Sequence, residues 1–348
     1  MEKSIGEGKK PYLAELSSRV ELFLGEPVSL VEPLIGGTNN LLHKIVLRDG
    51  RTYVAKQYFQ DKRQRLEHEY GVLSVLAERG FDEVPMPVAR FDDLYAGVYS
   101  FAEGVRIGSS AFGEQELEAI VTYLTKIQSV SPSEVKRDLL RAESSAYSLA
   151  EIVDLILERV RPFQEESSTP LNIGTSKFIA ETDVISTVEK LLTRARERFS
   201  SRLAHVIPSE YLRLTSVDSG PHNMVWDSHK KLTVLDFEYA GWDHPLREIG
   251  NLLAHSQMRG ASKEWREQFI KRYLDRSALP HEVTCDLEGF QMLSEIEWVM
   301  VNMSCLLPVK IARLQHAKGP DYDVGAHLER FMQEIRERLA VLVNMYLP

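Results

Sequence analysis

The stretch SVDSGPHNMVWDSHKKLTVLDFEY, residues 216–239, decides how this chain is read. Asp218 is followed by Ser219-Gly220-Pro221, a turn signature, and then by Asn223. MVW begins a strand, Asp227-Ser228-His229-Lys230 turns, and KLTVLDF returns. Such a hairpin brings Asn223 and Asp236 to the same end, beside Asp218. A hard cation such as Mg²⁺ takes a few oxygen ligands together with phosphate oxygens, and Asn223 and Asp236 can supply that set. Asp218 is placed to accept the proton of an attacking hydroxyl. Each residue alone has an ordinary reading: a cap aspartate, a turn asparagine, a solvated aspartate. Their order in the chain, behind a glycine-rich turn and a strand lysine, selects the functional one.

That turn and that lysine lie upstream. Gly36-Gly37-Thr38-Asn39-Asn40 joins two strand-like segments, and such a turn lets backbone N–H groups approach phosphate oxygens because no side chain blocks them. LLHKIVL, the Asp49-Gly50 hairpin signal and RTYVAKQYF continue the strands, with Thr52, Val54 and Lys56 on one face. KRQRLEHEYGVLSVLAE has helical spacing through Leu66, Tyr70, Leu73 and Leu76, and Gly80 stops it. A lysine reaching the α- and β-phosphates of a nucleotide needs a carboxylate to fix it. Glu69 lies two turns before Leu76 on the apolar face, where a charge needs a partner. It is therefore chosen as the partner of Lys56, and Glu67 is read as a solvated neighbour. PMPVARFDD and AGVYSFAEG add two strands, giving β-β-β-α-β-β.

From about Ser110 the pattern turns helical. ELEAIVTYLTKIQSV, AYSLAEIVDLILERVRPF, ETDVISTVEKLLTRARERF, KEWREQFIKRYLDR behind a Ser262 cap, LEGFQMLSEIEWVMVNMSCLL and VGAHLERFMQEIRERLAVLVNMYL all read as helices. Residues 165–177 read as a loop, and the opening stretch is the only β-like segment expected in this half. The chain has 348 residues, enough for two lobes. The expected fold class is α+β: a small antiparallel β-lobe over residues 1–102 and a large, mostly helical lobe over 103–348.

Other function classes fit less well. The formal net charge of -9 argues against a nucleic-acid partner. No apolar run approaches a membrane span, and the N-terminal segment lacks the apolar core of a secretory signal. Cys285 and Cys305 have no CxxC spacing, so a reducing cytoplasm is the default expectation. The histidines show no HExxH and no paired spacing, against zinc. Trp298 and Met300 read as core, and Glu295 and Glu297 as solvated or salt-bridged.

GGTNN, VAK, EYGVLSVL, VYSFAEG, DSGPHN and DFEYAGWDHP together resemble the aminoglycoside phosphotransferase and choline kinase superfamily, the small-molecule relatives of protein kinases. The resemblance covers most of the chain and implies a bilobal, protein-kinase-like fold with ATP bound between the lobes. It implies that Ser100, Phe101 and Ala102 meet the adenine from the hinge, with Val54 above the ring, and that Gly37, Thr38, Asn39 and Asn40 lie near the phosphates. It implies that Asp218 is the catalytic aspartate and that Asn223 and Asp236 are the metal ligands. Glu238, Trp242 and Asp243, in or just after the metal-ligand segment, are candidate acceptor contacts.

Three departures qualify the match. Ser216-Val217-Asp218 replaces the usual His-Gly-Asp, as in a branch with Ser-Pro-Ser-Asp and a similar FEYxGWDxP segment. Glu238 follows Phe237 where protein kinases carry glycine, and no Ala-Pro-Glu segment is present, against a protein kinase. Glu248 stands where the family tends to have aspartate. The expected activity is ATP- and Mg²⁺-dependent transfer of the γ-phosphate to a hydroxyl of an aminoglycoside, another sugar, an amino alcohol or a natural product. Acceptor choice is expected from residues 142–210 and the C-terminal helices. The alternative is a nucleotide-binding pseudokinase or scaffold without turnover.

Overall fold

The computed structural model describes residues 9–34, 40–164, 171–318 and 322–347. A helix, α1 (Lys9–Leu24), precedes a five-stranded antiparallel sheet of β1 (Val28–Pro33), β2 (Leu41–Leu47), β3 (Thr52–Gln57), β4 (Pro87–Phe91) and β5 (Ala96–Ser100), with α2 (Arg65–Glu78) between β3 and β4. The strand order is β1-β2-β3-β5-β4. The β2–β3 turn forms as the Asp49-Gly50 signal requires: Gly50 has φ +91° and Asp49 accepts from the Arg51 N–H.

Alternation assigns the two sheet faces. Ile45, Leu47, Ala55, Ala96 and Val98 are buried under Leu16 and Val20 of α1. Val54, Lys56, Gly97 and Tyr99 share the opposite face, since Val54 pairs with Tyr99 and Lys56 with Gly97. Leu66, Leu73 and Leu76 of α2 are buried in the main core together with Tyr58 and Tyr99. The sheet thus ends up covered on both sides, with one face turned to the rest of the molecule.

The remainder is mostly helical: α3 (Glu114–Ile127), α4 (Leu149–Gln164), α5 (Ile173–Thr182), α6 (Val184–Arg198), α7 (Pro245–Ala254), α8 (Lys263–Arg276), α9 (His281–Thr284), α10 (Leu287–Ser304), α11 (Pro308–Lys318) and α12 (Val324–Tyr346). Two short antiparallel pairs interrupt them: β6 (Arg213–Thr215) with β9 (Gly241–Asp243), and, between these in the chain, the hairpin of β7 (Met224–Trp226) with β8 (Leu232–Val234). Helix α10 is the axle of this half and packs against α4, α6, α7 and α12. The architecture is α+β, bilobal and protein-kinase-like. No helix among the described residues is long and apolar enough to cross a membrane.

Sequence expectations change in several places, and α7, α9 and α11 form where no helix was expected. Helix α1 was not anticipated, because its burial rests on only a few residues such as Leu16 and Val20. Of the loop expected over residues 165–177, residues 165–170 lie outside the described residues, and from Ile173 onward α5 takes its place: Asn172 caps its first turn by accepting from the Gly174 N–H at 2.7 Å, and Thr175 and Phe178 are buried. The single helix expected over residues 181–199 breaks at Asp183, whose φ of +48° ends α5 and starts α6. The opening stretch is not the only β segment in this half, because β6 and β9 flank it. Each has three residues and depends on its partner for definition.

Helix α7 meets α10 at a glycine. A Cβ on Gly250 would lie 2.7 Å from the Phe290 carbonyl oxygen and 2.7 Å from Ser294 Oγ. Gly250→Ala should therefore force the two helices apart and destabilise the protein by about 1–3 kcal/mol, read as a lower midpoint in urea unfolding.

Candidate active site

One face of the sheet, α2 and the β7–β8 hairpin deliver charged groups to a single point. Lys56 Nζ lies 2.6 Å from Glu69 Oε2, 2.5 Å from Asp236 Oδ1 and 3.7 Å from Glu238 Oε2. The Lys56 and Glu69 side chains are 6% and 5% exposed, whereas that of Asp236 is 40% exposed. Burial alone would push the Lys56 ammonium down, but the three carboxylates outweigh it and hold it well above its usual range. Burial pushes the Glu69 carboxyl up to about 7 and also raises that of Asp236. Asp236 has φ +66°, an uncommon conformation for a non-glycine residue that aims its carboxylate back towards Lys56.

Asp218 stands on the adjoining loop. The β7–β8 pairing and the Leu235 N–H donating to the Asn223 carbonyl at 2.8 Å fix Asn223 against the segment carrying Asp236. Asn223 Nδ2 donates to the Asp218 carbonyl at 2.9 Å, which leaves the side-chain oxygen of Asn223 as its ligand atom. Asn223 and Asp236 thus offer only oxygen ligands from this segment, the donor chemistry that suits Mg²⁺. Burial would push the Asp218 carboxyl up, but His222 at 3.4 Å and His255 at 3.8 Å hold it below its usual value. Among the described residues, Asp218, His222 and His255 bring potential ligand atoms within 4.8 Å of one another. However, His255 Nδ1 accepts from the Gln257 N–H at 3.1 Å. The neutral ring therefore carries its proton on Nε2, facing Asp218 as a donor and not as a metal ligand.

The loop is anchored from below. Val217, a β-branched residue, has φ +66°, a conformation that needs outside support. Its carbonyl accepts from Asn251 Nδ2 at 2.6 Å, and Asn251 Oδ1 accepts from Trp298 Nε1 at 2.7 Å. Glu248 Oε1 accepts from the Ser216 N–H at 2.9 Å and from Ser216 Oγ at 2.5 Å, and Gln128 Nε2 donates to Glu248 Oε2 at 3.0 Å. Glu248 thus holds Ser216 through both its backbone N–H and its hydroxyl, and the backbone before Asp218 is held.

The structure places the remaining candidates as follows. Ser100 closes β5, with its N–H donating to the Met86 carbonyl at 2.9 Å, and Phe101 and Ala102 follow it half-buried. Asn40 donates through Nδ2 to Glu238 and accepts from the Phe59 N–H at 3.3 Å. Gly37, Thr38 and Asn39 lie outside the described residues. Glu67 pairs with Arg90 and is not simply solvated.

Two acceptor candidates need correction. Glu238 is 2% exposed and faces Lys56, Arg65 and Asn40, on the side of the charged cluster. Asp243 is 1% exposed, accepts from the Ala146 and His244 N–H groups at 2.9 and 2.7 Å, and its carboxyl is pushed up to about 7 by burial. It ties the β9 end to the chain before α4. Trp242 remains half-buried, with its backbone paired to Leu140 and Ala142. Glu297 is buried against Arg247 at 2.5 Å, and Glu295 pairs with Arg338. Trp298 is half-buried and bonded to Asn251, so its reading as plain core misses an anchoring role. Its apolar helical setting gave no sign of this, and neither Asn251 nor His255 was singled out.

Fold and site together define a small-molecule kinase. A model of the phosphotransferase enzyme family matches residues 31–283, and the chain belongs to that family. No curated protein matches it by sequence. Among solved structures it is similar to a spectinomycin phosphotransferase in complex with ADP and spectinomycin, at 14% identity and TM-score 0.63, covering 94% of this chain and 98% of that one. An amicoumacin kinase in complex with AMP-PNP, Ca²⁺ and its antibiotic is similar at 15% identity and TM-score 0.60, covering 96% of both chains. A choline kinase from Streptococcus pneumoniae is similar at 17% identity and TM-score 0.58, covering 95% and 99%. At these identities the likeness establishes the shared fold.

Two outcomes test the anchoring. Glu248→Ala leaves the buried Ser216 and Gln128 donors without their acceptor and should cost about 2–4 kcal/mol in chemical denaturation. Burial pushes His255 down to about 4, so the folded ring stays neutral while the unfolded one protonates near 6.5. Stability from this group is lost as pH falls from about 6.5 to 4, roughly 2 kcal/mol by pH 5. The unfolding free energy of His255→Asn should therefore fall less between pH 8 and pH 5 than that of wild type.

Proposed function

We propose that the chain is an ATP- and Mg²⁺-dependent phosphotransferase that moves the γ-phosphate to a hydroxyl of a small molecule, with its lobes dividing after residue 102. The observation that carries this reading is the convergence of Lys56, Glu69 and Asp236 within 2.6 Å contacts, beside the loop of Asp218 and Asn223. Lys56 holds the α- and β-phosphates and Glu69 orients it. The hinge at Ser100, Phe101 and Ala102 receives the adenine, Val54 covers it, and residues 37–40 cover the phosphates. Asn223 and Asp236 hold magnesium, and Glu238 lends further negative charge to that side. Bound there, magnesium neutralises charge on the phosphates.

Asp218 orients the acceptor hydroxyl and takes its proton. The depressed carboxyl of Asp218 is ionised at neutral pH, as a base must be. Transfer itself needs alignment and charge neutralisation more than covalent participation. The strained Val217 and its Asn251 bond fit that demand, because they fix the direction in which Asp218 points. The acceptor is a hydroxylated small molecule, and the net charge of -9 favours an aminated or neutral sugar over an anionic one. The protein acts in the cytoplasm, where ATP is available.

A nucleotide-binding scaffold without turnover draws its support from the missing histidine at Ser216. The bonds from Glu248 to Ser216 weaken that support, since the loop keeps its anchor.

A magnesium-dependent ADP-release screen over aminoglycosides, sugars, nucleosides and amino alcohols tests the reading. One acceptor class should raise ADP release. Asp218→Ala should cut that rate by about 10²–10⁴-fold with nucleotide binding retained, and chelation of magnesium should abolish it. Nucleotide binding with a flat panel would favour the scaffold.

A further inference from the structure

Behind the charged cluster lies a buried chain of hydroxyls that no step above uses. Glu69 Oε2 accepts from Lys56 Nζ at 2.6 Å and from Tyr58 Oη at 2.8 Å. Tyr58 Oη is also 2.7 Å from Tyr99 Oη. A phenol has one proton. Tyr58 gives its proton to Glu69, so Tyr99 must donate to Tyr58, and the chain runs from Tyr99 through Tyr58 to Glu69. Both tyrosines are 3% exposed. The face of the Tyr58 ring also lies 5.1 Å from Lys56 Nζ, within range of a cation–π attraction. Tyr58 therefore touches both members of the ion pair.

The sheet is built around this arrangement. Tyr99 and Gly97 share a face of β5, and Gly97 pairs with Lys56. A Cβ on Gly97 would lie 2.3 Å from Tyr99 Oη and 2.7 Å from two carbons of its ring. The glycine leaves the room in which the Tyr99 ring folds back towards Tyr58. Buried hydroxyls need partners, and here a carboxylate ends the chain. In this structure Lys56 is shared between Glu69 and Asp236. A lysine that reaches towards phosphates gives up part of that contact, and Glu69 then depends on its other donor for its orientation.

We propose that Tyr58 and Tyr99 are positioning residues of the nucleotide site: their hydroxyl chain fixes Glu69, and through it Lys56, for binding the phosphates. The inference rests on the nucleotide reading of Lys56 and Glu69 given above. It makes Tyr58 the direct support and Tyr99 the support of Tyr58. Loss of the Tyr58 hydroxyl leaves the ring packed and removes only the donor to Glu69. Loss of the Tyr99 hydroxyl acts at one remove.

The test is calorimetric binding of Mg·AMP-PNP to wild type, Tyr58→Phe, Tyr99→Phe, Lys56→Met and the Lys56→Met/Tyr58→Phe double variant, with thermal unfolding of each as a check on folding. Tyr58→Phe should raise Kd about tenfold, the loss of one hydrogen bond to a charged acceptor, and Tyr99→Phe about threefold. In the Lys56→Met background, Tyr58→Phe should change Kd less than about twofold, because the two act as one unit. An unchanged Kd in Tyr58→Phe, or the same loss with and without Lys56, would overturn the proposal while leaving the nucleotide site standing. Failure of wild type to bind Mg·AMP-PNP would overturn the phosphotransferase reading itself, and the proposal with it.

Discussion

A single ammonium group, Lys56 Nζ, collects carboxylates from distant parts of the chain: Glu69 from α2, and Asp236 and Glu238 from the segment after β8. Taking such charges out of water is expensive, and it is tolerated when they face one another with good geometry. The sheet must therefore hold Lys56 on the face opposite α1. Helix α2 must lie across that face, and the β7–β8 hairpin must approach from the helical half. Once the cluster forms, the two halves cannot slide without separating opposite charges. Asn40, bonded to Glu238, adds a second tie between them.

The loop carrying Asp218 is set by the same economy. Val217 and Asp236 both take positive φ, each at a local cost of order 1–3 kcal/mol. Such backbone persists only where the surroundings over-determine it. Glu248 fixes the residue before Val217, and Asn251 fixes the Val217 carbonyl. Asn251 is itself held by Trp298 of α10, the helix around which the lower half is packed. Rigidity from the helical core is thereby carried to the loop that holds Asp218.

Much of this was readable in the sequence, and the limits have physical causes. Period-2 alternation and the Asp49-Gly50 turn gave the sheet, because a covered face demands regular burial. The apolar stripe of α2 located Glu69, because a carboxylate on that stripe needs a partner. The Asp218, Asn223 and Asp236 spacing gave the hairpin. Helix α1 escaped because its burial rests on few residues, and β6 and β9 escaped because three-residue strands carry no period. Glu238 and Asp243 were misread because a carboxylate in a promising segment looks the same whether it faces a cleft or a backbone amide.

The sequence by itself determined the fold class, the N-terminal order β-β-β-α-β-β and the hairpin carrying Asn223 and Asp236, since these follow from local periodicity, turn chemistry and spacing. Tertiary structure alone decided that Asp236 and Glu238 join Glu69 around Lys56, that Glu248 anchors Ser216, that Trp298 braces the Asp218 loop through Asn251, and that Tyr99 reaches Glu69 through Tyr58. Those are contacts between residues tens to nearly two hundred positions apart. Their existence depends on distances and burial set by packing, which no single segment encodes.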